Sequence, residues 1–561
     1  MRWKLKPEPH SDIVTQLASC LSINKTLAKL LAQRNISNFE GAKKFFRPSL
    51  EDLHDPFLMK DMEYAVNRIE KAIAANESIL VYGDYDVDGT TAVSLVFLYL
   101  KTIYDKVVTY IPDRYEEGYG ISYQGIDFAA DNHFSLIIAL DCGIKAIEKV
   151  AYASEKNIDF IICDHHKPGD EIPRAIAVLN PKRKDCSYPY DELCGCGIGF
   201  KLITAMAFKK GQVIEDMKLY LDLVAVAIAA DIVPMTGENR ILTHFGLQVI
   251  NTQPRSGIKA MTHQLKKSKL TITDVVFIIA PRINAAGRMK HGNHAVELLT
   301  TIDFDTAVHH AALIEKYNIA RKEADKKIAE EALWQIKRNN EENNFTTVVF
   351  NENWHKGVIG IVASRLIETY YRPTLVFTKS KDRFTASARS VKGFDIYHAL
   401  EQCSEFIEQF GGHTYAAGLT LLPEKYAGFK KKFEEVVSKT IDKKLLTREV
   451  LIDTEIDLYE ITPKFFRIIQ QMAPFGPQNM NPVFKTSAVR DNGYGKQVGT
   501  DKNHLRLHII QGADRKTYHA IGFGLGEKIS SIHNDFDIAY SLSENEWNGI
   551  KSMQLILKDI S

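Results

Sequence analysis

Short apolar runs alternate with helical patterns along the first third of the chain. The runs are Ser78–Tyr82, Val107–Ile111, Leu136–Leu140, Phe160–Cys163 and Ile176–Leu179. Stretches with helical periodicity separate them, and the first of these begins at Thr90. Alternation of strand and helix is typical of parallel sheets. The pattern therefore predicts an α/β fold class with a parallel sheet between about residues 60 and 250.

Acidic residues and histidines follow several of these runs. Asp84–Asp88 carries three aspartates, Asp141 follows the third run, and Asp164–His166 follows the fourth. Parallel strands bring the residues beyond their carboxyl ends to one edge of the sheet, where such folds bind ligands. Crowded carboxylates repel one another unless a cation lies among them, and carboxylate with imidazole favours Mn²⁺ or Mg²⁺. A single acid at a strand end is often a helix cap or a turn former, but capping does not account for the whole set.

Changes of pattern divide the rest of the chain. Residues 1 to about 60 predict short helices interrupted by prolines, and Leu219–Ala230 predicts a buried helix that ends at Asp231. One long polar helix is expected from Asp303 to Asn344, as a solvated connector between domains. A second α/β unit is expected from Thr346 to about Ile441. The alternating strands after residue 450 predict a small antiparallel barrel.

Composition adds a few limits. The 561 residues include 71 Lys and Arg against 70 Asp and Glu, so the net charge is +1 and any nucleic-acid surface must be local. The sequence has no run of eighteen apolar residues and no apolar core of a signal peptide at its start, which predicts no membrane association. Seven cysteines without a pairing pattern favour the reducing cytoplasm. Zinc binding by Cys186, Cys194 and Cys196 is the alternative, but the spacing lacks a Cys-x₂-Cys pair and a fourth ligand.

Seven segments resemble known family motifs. In chain order they are Gly83–Ala92, Asp141–Gly143, Asp164–His166, Asp231–Arg240, Arg282–Arg288, Trp354–Leu366 and Gly411–Gly418. The first four resemble the motifs of the DHH phosphoesterases, and the next two are similar to segments that mark the RecJ branch. The last resembles the glycine-rich signature of the DHH-associated domain. Since order and spacing match from about residue 60 to 485, the chain is identified as a member of the RecJ branch.

The resemblance implies a domain order. It comprises an N-terminal helical segment (1–60), a parallel-sheet DHH phosphoesterase domain (61–300) and a connector helix (301–344). A second α/β unit, the DHH-associated substrate-binding domain, covers 345–445. An OB-like nucleic-acid-binding β-barrel covers 446–561.

The resemblance also implies a two-metal site that uses Mn²⁺ or Mg²⁺. The implied metal ligands are Asp86, Asp88, Asp141, His165 and Asp231, with Asp141 as the bridge between two ions. The implied catalytic residues are His166, Asp164 and Asp84. His166 is expected to touch the scissile phosphate or its leaving group, and Asp164 to orient a neighbour. Some relatives carry a first-motif histidine, but Asp84 stands in that neighbourhood here.

A further set of residues is expected to hold the polyanion. It consists of Arg114, Tyr119, Arg282, Asn284, Arg288, Ser387, Arg389, Ser390, Gly412 and His413. Arg282, Asn284 and Arg288 are expected in a small-residue turn that phosphate can approach. For any one of the arginines a surface salt bridge is the alternative, and for Tyr119 the alternative to base stacking is a core position.

The implied activity is exonuclease action on single-stranded DNA from the 5′ end, with release of 5′-mononucleotides, in DNA repair and recombination. The implied partner is single-stranded DNA, and a helicase or a single-strand-binding protein is a candidate protein partner. One alternative is a phosphodiesterase for oligonucleotides or cyclic dinucleotides, whose members are shorter and lack the connector and the barrel. Another is a non-catalytic single-strand-binding scaffold, whose members have lost metal ligands that this chain keeps.

Overall fold

The computed structural model describes residues 1–265, 267–512, 514–547 and 549–561. The chain forms two compact units. One comprises Trp3–Gly287, His291–Ala311 and Val450–Ser561, and the other comprises Met1–Arg2, Arg288–Lys290 and Ala312–Glu449. No helix in the described ranges combines the length and the apolar character that crossing a membrane requires.

The predicted parallel sheet is present in the first of these units. The preceding elements are β1 (Arg2–Leu5), α1 (Ser11–Leu21), α2 (Lys25–Ala32), α3 (Phe39–Phe46) and α4 (Met62–Ala74). The sheet then consists of β2 (Ser78–Gly83), β3 (Val107–Tyr110), β4 (Phe134–Leu140), β5 (Asp159–Cys163) and β6 (Ala177–Leu179). Its order is β3-β2-β4-β5-β6 and every pairing is parallel. All five predicted runs are therefore strands, and their carboxyl ends lie at one edge.

Helices accompany the sheet and extend the unit. In chain order they are α5 (Val87–Lys101), α6 (Tyr123–Asp131), α7 (Ile147–Glu155), α8 (Gly195–Lys209), α9 (Leu221–Asp231), α10 (Gly237–Thr252), α11 (Ser256–Thr262), α12 (Ile272–Asp274), α13 (Ala280–Met289) and α14 (Asn293–Thr300). A π-helix over Val275–Ile279 leads into α13. Helix α9 is apolar on most sides and almost wholly buried, as predicted, and Asp231 is its last residue.

The long polar helix is α15 (Phe304–Arg338), which ends six residues earlier than expected. Its last turns are not fully solvated, because Ile328, Ala332 and Ile336 are buried in a core with Trp354 and Val362. These three positions are four residues apart and so share one face of the helix. Because the other faces of the helix are mostly polar, the sequence pattern did not indicate this apolar stripe.

The second unit contains a mixed sheet. Its elements are β7 (Thr347–Phe350), α16 (Ile359–Thr369), β8 (Thr374–Ser380), β9 (Arg383–Arg389), α17 (Ile396–Glu401), β10 (Gln409–His413), β11 (Ala416–Leu421) and α18 (Tyr426–Thr440). The strand order is β10-β11-β9-β8-β7, and only β7 and β8 pair in parallel. Phe377, Phe429 and Phe433 lie in its core.

The last part of the chain forms the predicted barrel. It begins with β12 (Glu449–Ile452), which pairs with β1 in a separate two-stranded sheet. The barrel elements are β13 (Thr454–Glu455), α19 (Pro463–Gln471), β14 (Phe484–Asp491), β15 (Lys496–Val498), β16 (His504–Gln511), β17 (Asp514–Gly522), β18 (Phe536–Trp547) and β19 (Ile550–Ile560). Pairing of β14 with both β18 and β16 closes the sheet into a ring. The sheet is mixed and not purely antiparallel as predicted, because β17 pairs with β19 and β13 with β14 in parallel. Leu17, Leu27 and Leu30 of the N-terminal helices belong to the same hydrophobic core as Phe484 and Tyr540 of the barrel.

Candidate metal centre and strand-binding residues

Two aspartates that follow β2 lie at helix N-termini. Asp86 is the N-cap of α5, where its Oδ1 accepts a hydrogen bond of 3.0 Å from the Gly89 amide. Asp88 is fully buried, and its two oxygens accept hydrogen bonds from the amides of Gly195 (2.6 Å) and Cys196 (2.8 Å) at the start of α8. Helix N-termini stabilise negative charge, so the carboxylate of Asp88 is fixed in place.

Asp141 follows β4 in a left-handed backbone conformation with φ of 58°. The start of α8 lies directly against it, because a Cβ added to Gly195 would come within 2.5 Å of the Asp141 Cβ. A residue other than glycine at position 195 would therefore displace this carboxylate. The amide of Asp141 donates to the Cys163 carbonyl, which ties its loop to the neighbouring strand.

Three carboxylates from separate elements converge on one imidazole nitrogen. The Nε2 atom of His165 lies 3.3 Å from Asp141 Oδ1, 3.5 Å from Asp231 Oδ2 and 3.8 Å from Asp88 Oδ2. Asp88, His165 and Asp231 form one group whose ligand atoms lie close enough to share a cation, and Asp141, His165 and His166 form a second. The structure therefore brings together four of the five expected ligands.

Burial and mutual repulsion raise the pKa values of these carboxyl groups. Burial, followed by repulsion from neighbouring carboxylates, raises the pKa of Asp88 to about 6 and those of Asp84 and Asp231 to about 8. The same causes raise the pKa of Asp141 well above its usual value. Burial, followed by the neighbouring His166, lowers the pKa of His165 to about 3, so its imidazole is neutral. A neutral imidazole among carboxylates is a suitable donor set for a divalent cation.

Unsatisfied oxygen atoms point to the same conclusion. Asp84 Oδ2, Asp141 Oδ1 and Asp231 Oδ2 are buried and accept no hydrogen bond from any described residue. Buried polar atoms are rarely left without a partner unless an ion or water satisfies them. The residues present thus fit Mn²⁺ or Mg²⁺. Asp86 is in neither converging group, but its charge is one of the causes of the raised pKa values of Asp84, Asp88 and Asp141.

His166 is oriented by Asp164, as expected. Asp164 Oδ1 accepts hydrogen bonds from the amide (3.0 Å) and the Nδ1 (2.7 Å) of His166, and its Oδ2 accepts one from the Ile144 amide. Burial by itself raises the pKa of Asp164, but the hydrogen bond from His166 holds it below the usual value. Burial lowers the pKa of His166, and the same Asp164 contact outweighs this and raises it.

The first group of expected strand-binding residues comprises Arg114, Arg282 and Asn284. Arg114 stacks on the Tyr85 ring at 4.7 Å, a contact that the sequence did not indicate. Arg282 and Asn284 lie on helix α13 and not in the expected turn. The small residues there let the helix pack closely on the loop after β2, since a Cβ added to Gly287 would lie 2.4 Å from the Tyr85 carbonyl oxygen. Close helix packing and a tight turn both need small residues, so the pattern that predicted a turn is also compatible with this helix.

The second group lies in the other compact unit. Ser387 and Arg389 lie on β9, and Nη1 of Arg389 donates to Ser387 Oγ at 3.1 Å. A Cβ added to Gly360, in the first turn of α16, would lie 3.2 Å from Arg389 Nη2, so this guanidinium faces a helix N-terminus. Arg288 lies in the C-terminal part of α13 and donates to the Gly357 carbonyl oxygen.

The remaining expected residues of this group differ in their surroundings. Ser390 donates to the Phe394 carbonyl oxygen, so its hydroxyl is engaged in a turn. Gly412 and His413 lie on the exposed end of β10. Ser387 and Arg389 are therefore the more suitable anion-binding pair in this unit.

Comparisons with known proteins identify similar chains. Family models match the N-terminal domain of the DHH family at residues 78–228, the DHHA1 domain at 342–439 and the RecJ OB domain at 452–559. The single-stranded-DNA-specific exonuclease RecJ of Bacillus subtilis (strain 168) is 34% identical over 569 residues, which cover 100% of this chain and 70% of that protein. The protein of the same name from Dickeya dadantii (strain 3937) is 30% identical over 96% of both chains.

Solved structures agree with these similarities. A crystal structure of RecJ from Thermus thermophilus in complex with Mn²⁺ has a TM-score of 0.84 and 25% identity, and covers 100% of this chain and 79% of that chain. The same protein in complex with Mg²⁺ has a TM-score of 0.78 and 23% identity over 100% of this chain and 78% of that chain. These likenesses confirm the expected fold class of a parallel-sheet domain, a second α/β domain and a C-terminal barrel.

Proposed function

We infer that this chain, which belongs to the RecJ family of the DHH phosphoesterases, is an exonuclease specific for single-stranded DNA. Its cofactors are divalent cations, Mn²⁺ or Mg²⁺. The observation that carries this function is the convergence of three carboxylates on Nε2 of His165 within 3.3–3.8 Å. A scaffold that only binds strands has no need for such a costly concentration of charge.

We assign Asp88, Asp141, His165 and Asp231 as the residues that hold the ions, with Asp86 adding negative charge beside them. Two bound cations supply the positive charge that activates water and neutralises the phosphate oxygens during hydrolysis. The neutral imidazole of His165 and the N–H-anchored carboxylate of Asp88 keep the ligand atoms in fixed positions. His166, held by Asp164 on its Nδ1 side, presents its Nε2 to the scissile phosphate and supplies a proton to the leaving oxygen.

We propose that cleavage starts at the 5′ end and releases 5′-mononucleotides because Arg389 and Ser387 receive the terminal phosphate. The guanidinium of Arg389 is largely buried, and no described carboxylate lies within ion-pairing distance of it. Burial lowers the pKa of Arg389, as expected for a guanidinium without a carboxylate beside it. An uncompensated guanidinium beside a hydroxyl and a helix N-terminus is a suitable receptor for a phosphate.

We further propose a cytoplasmic site of action in DNA repair and recombination. The seven cysteines are all free thiols, which agrees with a reducing compartment. A helicase or a single-strand-binding protein is the partner class that would supply or cover a single strand for this enzyme.

The test of the activity is hydrolysis of an end-labelled single strand. With Mn²⁺ the full chain should release mononucleotides, while EDTA should stop the reaction and a blunt duplex should resist. Absence of metal-dependent hydrolysis by folded protein would remove the proposed function.

The test of polarity compares strands that begin with a 5′ phosphate or a 5′ hydroxyl. The phosphorylated strand should be degraded faster, and Arg389→Ala should reduce this preference by about tenfold because a charge-assisted contact is lost. Arg383→Ala is the matched control, since Arg383 lies on the same strand but pairs with Asp382 and Glu408. Equal degradation from the 3′ end would contradict the proposed polarity.

A further inference from the structure

Tyr119 contacts the proposed catalytic histidine through its hydroxyl group. The Tyr119 Oη atom lies 3.1 Å from Nε2 of His166, and Nδ1 of the same ring lies 2.7 Å from Asp164 Oδ1. Both nitrogens of His166 therefore have a hydrogen-bond partner, one on each side of the ring. An imidazole held at only one nitrogen keeps rotational freedom, whereas one held at both has a single orientation.

The backbone around Tyr119 is organised to aim this side chain. Before it, the amides of Glu117 and Gly118 donate to the Asp113 carbonyl oxygen, which closes a turn. After it, the Gly120 carbonyl oxygen accepts a hydrogen bond of 2.9 Å from the buried Tyr82 hydroxyl. Gly118 and Gly120 have φ values of 86° and 76°, a region that glycine adopts without strain. The loop is thus tied on both sides of Tyr119, and the two glycines direct its chain toward His166.

The two ends of the Tyr119 side chain have different surroundings. The hydroxyl lies 3.1 Å from Nε2 of His166, and a tyrosine hydroxyl carries its proton at neutral pH. More than half of the residue, 54%, nevertheless remains exposed. A protonated hydroxyl can serve as donor or acceptor to Nε2, while the exposed ring is free to meet a base. Hydroxyl and ring can therefore have separable effects.

We propose that Tyr119 is a positioning residue for His166 and that it acts through its hydroxyl group. In the strand-free protein the hydroxyl and Asp164 hold the imidazole between them. An arriving phosphate oxygen then replaces the hydroxyl at Nε2 and meets an imidazole already in the orientation that proton transfer needs. The proposal rests on the proposed function, because it assigns Tyr119 a role in the same reaction. It requires that any effect of the hydroxyl on turnover pass through His166.

The first experiment separates the hydroxyl from the ring in the full-length protein. Tyr119→Phe should lower kcat on a 5′-phosphorylated single strand by about tenfold, the size expected for one hydrogen bond, and leave KM within about twofold. Tyr119→Ala should also raise KM, because the ring is lost. Tyr123→Phe is the matched control, since Tyr123 lies on α6 with its ring against Tyr152 and should leave both constants unchanged. A Tyr119→Phe enzyme with unaltered kcat would overturn the proposal.

A double-mutant cycle with His166→Ala tests whether the hydroxyl acts through the imidazole. In the His166→Ala background the Tyr119→Phe substitution should cause no further loss of single-turnover rate. Losses that multiply would show that Tyr119 acts on the strand directly, and the positioning role would then be wrong.

A spectroscopic test works without metal or substrate. In ¹⁵N-histidine-labelled protein in EDTA, the imidazole signal that is missing in His166→Ala should shift in Tyr119→Phe and stay in place in Tyr123→Phe. An unshifted signal would overturn the inference. The outcome is independent of the proposed function, which fails instead if the wild-type protein does not degrade single strands with Mn²⁺.

Discussion

Asp141 differs from an ordinary buried acid in three respects. Its backbone is left-handed, its Oδ1 accepts no hydrogen bond from a described residue, and burial with nearby carboxylates raises its pKa. Asp141→Asn keeps the shape, and asparagine tolerates this backbone conformation. We expect single-turnover hydrolysis to fall at least about a thousandfold, because a proposed metal ligand is lost. The free energy of unfolding in EDTA should be unchanged or higher, since one repelling charge is removed.

A second buried aspartate provides the contrast. Asp222 is fully buried and forms two close contacts with Arg255, at 2.5 and 2.7 Å. Asp222→Asn should lower the free energy of unfolding by about 3 kcal/mol, because it leaves a guanidinium without its partner. It should leave the rate per folded molecule unchanged. Near-wild-type turnover by Asp141→Asn would contradict the assignment of Asp141 as a metal ligand.

At the scale of elements, helix α10 connects three parts of its unit. Its Arg240 donates hydrogen bonds to the carbonyl oxygens of Phe45, Met472, Ala473 and Pro474, and its guanidinium stacks on the Phe45 ring at 3.9 Å. The segment around it resembles the fourth family motif, yet Arg240 contacts no proposed metal ligand. Its contacts join the parallel-sheet domain to the N-terminal helices and to the loop that follows α19.

Arg240→Lys tests this connection. Lysine keeps the charge but lacks the planar fork, so several buried carbonyl groups lose their donor. We expect a loss of about 2–3 kcal/mol in the free energy of unfolding, measured with urea. The control is Arg490→Lys on the exposed face of β14, where the arginine pairs with Asp535 in solvent and should contribute little. Equal stability of both variants would show that α10 does not hold these parts together.

At the scale of the whole molecule, the metal centre should make stability depend on pH. The pKa values of Asp84 and Asp231 are about 8 and that of Asp88 about 6, against an ordinary value of 3.8. Between these values the folded state binds more protons than the unfolded state, so stability falls as pH rises from about 4 to 8. In EDTA we expect Tm to decrease over this range and to level off above about pH 8. Excess Mg²⁺ should raise Tm most at the upper end, because the cation replaces the protons.

This pH dependence can be checked by thermal unfolding with and without Mg²⁺. Asp231→Asn should flatten the slope in EDTA, because one of the carboxyl groups with a raised pKa is gone. A Tm in EDTA that rises with pH over this range would contradict the prediction that these carboxyl groups have raised pKa values.

The barrel provides a second prediction at this scale, and the structure changes how it must be tested. Removal of residues 451–561 would expose Leu17, Leu27 and Leu30, which share the barrel's core. Point substitutions on its surface avoid this. Lys496 and Arg506 are exposed and lie opposite each other on β15 and β16. Tyr494 and His508 lie beside this pair with their rings 5.6 Å apart.

Lys496→Ala with Arg506→Ala should weaken binding of long single strands. The plot of log affinity against log salt has a negative slope, and this slope should become shallower by about 0.7 for each phosphate contact that is lost. Lys485→Ala with Lys551→Ala removes the same charge from residues paired with Glu455 and Glu544, and should leave the slope unchanged. Identical slopes for both double variants would exclude this face as the strand-binding surface.

The sequence by itself determined the parallel sheet and the place where the acids gather. Strand and helix periodicities are local, and a parallel sheet brings all residues that follow its strands to one edge. Asp88, Asp141 and His165 could therefore be assigned to one site before any distance was known. Asp231 ends a helix and not a strand, so only the resemblance of Asp231–Arg240 to a family motif assigned it to the same site.

Only the tertiary structure decided which atoms meet, because packing between distant segments sets those contacts. Asp88 is anchored by amides of Gly195 and Cys196, more than a hundred residues away, and no local pattern encodes that pairing. The small residues of Arg282–Arg288 permit either a turn or a closely packed helix, and contact with Tyr85 selected the helix. The hydrogen bond between Tyr119 and His166 likewise exists because two loops of the folded sheet lie side by side.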